Sequence, residues 1–149
     1  MEMLDAIIQE CANSNNLGIQ YEQEGNIDAA IEVYEKNTLL NYPATHSYER
    51  LMVLYRKRKE YSKEIAVIEK AIELFSDENE RRAEVAISNY PSMAAEIQEA
   101  LVACKTVCDN NDINQYGYPR VVFNPYDVCK YRSRLAKVVK LSKKADDRL

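Results

Sequence analysis

Residues 11–44 and 45–78 carry one pattern twice, at a spacing of 34 residues. Leu17 is answered by Leu51, Tyr21 by Tyr55, Ile31 by Ile65, Val33 by Val67 and Leu40 by Leu74, and Glu35-Lys36 returns as Glu69-Lys70. A fixed period of this length marks stacked supersecondary units, each too small to bury its apolar face alone. Stacks of this kind build concave binding surfaces rather than reaction chemistry. The repeat therefore constrains the fold before composition is considered.

Within each unit the pattern reads as two helices. Leu17, Gly18 and Tyr21 fall on one face of a first helix that ends at Gly25-Asn26, where a permissive backbone suits a helix C-terminus. Asp28 opens a second helix, with Ala30, Ile31, Tyr34 and Leu40 inward, and Tyr42-Pro43 stops it. The second unit runs Tyr48, Leu51, Met52 and Tyr55, turns near Lys59-Glu60, and restarts with Ser62 placed to cap. Upstream, Leu4, Ile7 and Ile8 form a helical stripe, and Asn13-Ser14-Asn15-Asn16 is a weak point before Leu17, where the pattern admits either a break or one continuous helix.

These residues resemble the tetratricopeptide repeat family, whose consensus runs W-x2-L-G-x2-Y, then Ala, an aromatic and Pro. Repeat one matches with Leu17-Gly18, Tyr21, Gly25, Ala30, Tyr34 and a displaced Pro43. Repeat two matches with Tyr48, Leu51, Tyr55, Tyr61 and Ala71, and departs with Met52 for Gly, Lys59 for the turn Gly and Glu64 for Ala. The resemblance covers 68 of 149 residues. It implies an all-α fold, a short right-handed array of helix pairs, and a peptide-binding groove lined by the first helix of each repeat. On that mapping the groove residues are Ala12, Asn15, Ile19, Glu22 and Gln23, then His46, Glu49, Arg50, Val53, Arg56 and Lys57. The family's clamp for acidic chaperone tails is missing: Asn15, Ile19 and Arg50 replace its residues in the first two repeats, and Glu80 and Glu84 stand where a third would need bases.

At 149 residues the chain reads as a single domain, 1–149. Beyond Glu78 the match fades, and 79–108 reads as a further helix pair, a degenerate third unit. Ala83, Ala86, Ile87 and Tyr90 lie on one side, then Pro91, then a stripe of Ala94, Ile97, Leu101, Cys104 and Cys108. Residues 109–112 read as a loop and 116–123 as an extended apolar strip, settled either in a crevice or in the groove. Asn124-Pro125 opens a basic capping helix over 125–145, with Val128, Tyr131, Leu135, Val138 and Val139 as its apolar stripe.

Charge is divided along the chain. Residues 1–124 hold 12 basic and 21 acidic side chains, whereas 125–149 hold 8 basic and 3 acidic, within an overall −4. Lys130, Arg134, Lys137, Lys140 and Lys144 could meet a polyanion, with Tyr116, Tyr118, Tyr126 and Tyr131 for stacking on single-stranded nucleic acid. A regular apolar stripe on an acidic body favours docking of this helix instead. A homo-oligomer formed through uncapped repeat ends is a further alternative.

The chemistry of catalysis is thin. There is no Gly-rich phosphate loop, H-E-x-x-H or G-x-S-x-G motif, and one histidine, His46. Cys104 and Cys108 are spaced one helical turn apart, two sulfurs where a structural zinc needs four ligands, so the four cysteines are read as packed thiols, with no metal and no cofactor. No apolar run reaches membrane-span length, and the N-terminus lacks a basic region before an apolar stretch, so the expected compartment is the cytoplasm. The expected function is a non-catalytic adaptor that holds a protein or peptide segment.

Overall fold

A computed structural model describes residues 2–148. The described residues are mostly helical, 74% of them, with one small two-stranded sheet. The elements are α1 (Glu2–Gln23), α2 (Ile27–Thr38), α3 (Thr45–Lys57), α4 (Tyr61–Asn89), a 3₁₀ turn at Pro91–Met93, α5 (Ala94–Ala103), β1 (Val107–Ile113), β2 (Pro119–Phe123) and α6 (Val128–Asp147). The chain divides into two compact units, Met1–Ala71 with Arg134–Leu149, and Ile72–Ser133; the divisions fall inside α4 and α6.

In the first unit the 34-residue repeat is visible in the turns. After α1, Gly25 takes a left-handed φ of +77° and the Asn26 N–H reaches back to the Tyr21 carbonyl at 2.8 Å. After α3, Lys59 takes φ 59° and the Glu60 N–H reaches the Tyr55 carbonyl at 3.0 Å. Both are Schellman closures, which satisfy carbonyls left open at a helix end. They sit one repeat apart, with a lysine where glycine would be at ease. Asn26 then caps α2, its Oδ1 accepting from the Ala29 N–H at 3.3 Å.

The buried apolar residues of this unit include Cys11, Ala30, Ile31, Tyr34, Tyr48, Leu51, Met52, Leu54, Tyr55 and Ile68. Gly18 is buried because a Cβ there would run into the Tyr34 ring. Some expected core positions lie outside. Leu17 is exposed, and so are Leu4 and Ile8, because α1 continues unbroken through Asn13–Asn16 and only one side of it packs on α2.

The cap expected from Ser62 is not formed: Ser62 lies inside α4, whose first turn closes with the Glu64 N–H on the Glu60 carbonyl. Nor does α4 break at 78. It continues to Asn89, so the first of the two helical segments expected over 79–108 is the end of α4; the chain breaks at Tyr90, and α5 is the second. Val85, which a third repeat would place at the Leu51 position, is exposed.

The second unit buries Ala83, Ala86, Ile97, Ala100, Val107 and Phe123 together. Here the expected helix through Cys108 ends early. Cys104 turns left-handed, and Val107–Ile113 pairs antiparallel with Pro119–Phe123, matching Val107 to Phe123 and Cys108 to Val121. The 109–112 stretch, expected as a loop, is thus part of a bulged strand. The apolar strip is housed by its own hairpin, with Phe123 inward and Val121 exposed, rather than in a groove. Asn79 clasps the backbone of Tyr126 on both sides, donating to its carbonyl at 2.9 Å and accepting from its N–H at 2.7 Å. Asp127, not Asn124, caps α6, accepting from the Lys130 N–H at 3.1 Å.

Two stability predictions follow from these elements. Lys59→Gly should stabilise the chain by about 0.5–1 kcal/mol, since it removes left-handed strain from a non-glycine residue; a lower denaturant midpoint would contradict the assignment of that turn. Glu64→Gln should cost about 2–3 kcal/mol, less than a fully buried pair because its arginine partners keep some solvent. Denaturant unfolding at constant slope measures both.

Candidate binding surfaces

The residues expected to line a groove lie on α1 and α3, and most of those with polar heads point into the fold. Asn37, buried at the end of α2, donates through Nδ2 to Asn15 Oδ1 at 2.9 Å, Ser47 Oγ at 2.8 Å and the Cys11 carbonyl at 3.3 Å. Ser47 donates to the same Asn15 oxygen at 2.6 Å. One turn further along α3, Arg50 holds Glu22 with two bonds, at 3.1 and 2.5 Å, and the Tyr34 hydroxyl donates to Glu22 Oε2 at 2.7 Å. His46 closes the cluster, its Nε2 3.4 Å from the Tyr34 oxygen and its ring edge-on to that tyrosine.

The charges tune one another as this geometry requires. Arg50 holds the Glu22 carboxyl below its usual value of 4.5, aided by Tyr34 and opposed by burial. Burial, then the nearby Arg50, lowers His46 from its ordinary 6.5. Burial and the Glu22 charge raise the Tyr34 hydroxyl.

Arg56, expected to meet a ligand carboxylate, instead grips Glu64. Its Nε donates to Oε1 at 2.7 Å and its Nη2 to Oε2 at 2.8 Å, while Arg134 of α6 donates to Oε2 at 3.0 Å. Glu64 has no exposed side-chain surface. The sequence signal for this hub was its place one repeat after Ala30, where the pattern asks for a small residue. Of the remaining expected positions, Ala12, Gln23 and Lys57 are exposed, and Ile19, Glu49 and Val53 are half-buried.

A second surface was not anticipated. A groove of about 530 Å³ runs between α2, α3 and α4. Leu51, Tyr55, Ala66 and Val67 are among its apolar walls, and Glu32, Lys36, Lys63 and Lys70 among its charged ones. Leu39 beside it is 71% exposed. Tyr55 donates to Glu35 at 2.7 Å and Lys70 to the Thr38 carbonyl at 2.8 Å, so its polar walls are tied in place. The Leu39-Leu40 pair at the end of α2 was the available hint.

On α6, the five residues proposed for a polyanion do not act alike. Arg134 is committed to Glu64, and Lys130 lies over the Tyr131 ring at 5.4 Å. Lys137, Lys140 and Lys144 are exposed. The four tyrosines separate too: Tyr126 and Tyr131 pack against Phe75, while Tyr116 and Tyr118 are exposed at the hairpin.

Cys104 does not pair with Cys108, which has moved onto β1; its sulfur lies 2.8 Å from that of Cys129. With Asp127 these are, among the described residues, the one group of three metal-capable side chains, their ligand atoms within 4.8 Å of one another. Comparison with protein families, with curated proteins and with solved structures finds no match for this chain. No helix among the described residues is long and apolar enough to cross a membrane.

The cluster makes a pH prediction. Because the folded pKa of His46 lies below 6.5, the unfolded chain takes up its proton first, and stability is lost as pH falls from about 6.5 toward the folded value. Glu22, lowered in the fold, contributes stability above its unfolded value that disappears only as pH falls through the lower folded one. His46→Asn should therefore flatten the decline between about pH 7 and 5 while leaving the steeper acid limb. Thermal midpoints measured across pH test this, and an unchanged slope in the variant would remove His46 from the account.

Proposed function

We propose that this protein is a non-catalytic interaction module of tetratricopeptide-like build that holds a polypeptide segment. Two helical hairpins, α1 with α2 and α3 with the first turns of α4, recur at the 34-residue spacing with equivalent Schellman turns. The observation that carries the reading is the α2–α3–α4 groove, which has an apolar floor at Leu51, Tyr55 and Val67 and charges of both signs in its walls. Such a groove suits an amphipathic helix that lays its apolar side chains on the floor and its own charges on the rim. The α1–α3 face suits this less, because Asn15, Glu22, His46, Arg50 and Arg56 already have partners within the fold. This reading moves the contact from the α1–α3 face to the groove in which α2 and α4 flank α3.

A displayed library of amphipathic peptides, selected on the full chain, supplies the probe. Ala66→Arg puts a charged side chain into the groove from an exposed position, and should weaken the selected peptides by roughly tenfold or more with stability unchanged. Lys57→Glu, exposed at the end of α3, should leave them bound. The reverse outcome would return the site to the α1–α3 face. A second reading is favoured by the exposed Lys137, Lys140 and Lys144: oligonucleotide binding that weakens steeply with salt and is lost on their reversal would place the activity on α6.

A further inference from the structure

We propose that Cys104 and Cys129 form a thiol–disulfide exchange site, which reacts with low-molecular-weight disulfides and closes into an intramolecular disulfide. Three observations within the second unit carry this. The sulfurs lie 2.8 Å apart, closer than two sulfurs that merely touch, although the residues are 25 positions apart in sequence. Cys104 occupies the left-handed position after α5, with φ 57° and ψ 44°, and the Lys105 N–H closes on the Ala100 carbonyl at 3.0 Å. Glycine or asparagine ordinarily fills that position, and here the turn sets the thiol beside the first turn of α6, where Cys129 sits. A cavity of about 230 Å³ opens on Cys104, with Leu101, Val102 and Val128 as apolar wall and the exposed Arg132 and Glu80 as charges of opposite sign, one for a carboxylate and one for an ammonium. That combination suits a small peptide disulfide, its carboxylate on the guanidinium and its sulfurs over Cys104.

The exchange runs in two displacements. The Cys104 thiolate attacks one sulfur of the incoming disulfide, forming a mixed disulfide and expelling the first small thiolate, which takes up a proton. The Cys129 thiolate then attacks the Cys104 sulfur, forming the internal bond and expelling the second. Two protein thiols and one small disulfide become one protein disulfide and two small thiols; the protein loses two electrons and two protons, and the small disulfide gains them. The hydrogen bond that the Cys129 thiol donates to the Cys104 sulfur raises Cys129 above its ordinary value, which suits it to the second displacement rather than the first. Cys11, buried in the first unit, and Cys108, on β1, stand outside this pair.

The test uses the reduced full-length protein equilibrated with oxidised and reduced glutathione at graded ratios, then alkylated and mapped by mass spectrometry. The expected result is loss of two of the four free thiols, a mass lower by about 2 Da, and one disulfide, Cys104–Cys129, reversed by excess reduced glutathione. Cys129→Ser should accumulate the glutathione adduct on Cys104. The wild-type map needs no variant, so a misfolded substitution leaves the proposal testable. It is overturned if both thiols stay free at every ratio, if Cys11 or Cys108 reacts in their place, or if zinc ions bind the pair with Asp127 and the thiols then resist oxidation.

Discussion

A fully buried carboxylate is the constraint on which the first unit depends. Removing Glu64 from water carries a desolvation cost of several kcal/mol, which only well-directed partners can offset. Arg56 supplies two charge-assisted bonds from α3, and Arg134 a third from α6, 70 residues away in sequence. Both guanidiniums retain some solvent, which accommodates the second positive charge. The arrangement binds three helices through one side chain, and a shift of α6 along α4 would take the third bond from Glu64 while Arg56 keeps the other two. At the equivalent place in the first repeat stands Ala30, buried and in need of no partner.

The first repeat is tied by neutral and half-buried polar groups instead. Asn37 ends α2 and draws Cys11 and Asn15 of α1 and Ser47 of α3 to a single amide nitrogen. Its Oδ1 is buried without a partner among the described residues, a cost of about 1–3 kcal/mol set against two N–H donors shared among three acceptors. Glu22 and Arg50 add a second tie between the same helices, and Tyr34, pressed on Gly18, delivers its hydroxyl to that pair. Asn15, Glu22, His46, Arg50 and Arg56, which a family resemblance marks for a ligand, are in this chain tied to other side chains of the fold.

The second unit is built on different principles. Small residues, Ala83, Ala86 and Ala100, let a hairpin approach two helical segments closely enough for Phe123 and Val107 to pack with Ile97. The left-handed turn at Cys104 ends α5 and redirects the chain into β1. That same turn brings a thiol to the start of α6, so one backbone reversal both makes the fold and assembles the sulfur pair.

The helical character, the 34-residue spacing, the turn at Gly25-Asn26 and the buried stripe of Val128, Tyr131 and Val138 could be read from the sequence, because they depend on neighbours within a turn or two. Lys59 was legible as a departure from the turn pattern, and the structure shows it adopting the glycine geometry regardless. What tertiary structure alone decided was the destination of each polar group. Whether Arg56 meets a ligand or Glu64, whether Asn15 faces a groove or Asn37, and whether Cys104 looks to Cys108 or Cys129 depend on helices brought together from distant parts of the chain. Local periodicity cannot supply this, since a buried charge on a helix looks the same in sequence as an exposed one until its partners arrive. The end of α5 and the hairpin that follows were hidden for a related reason: a cysteine in left-handed geometry carries no local signal, and only the packing of Val107 and Phe123 against the alanines makes that turn worth its strain.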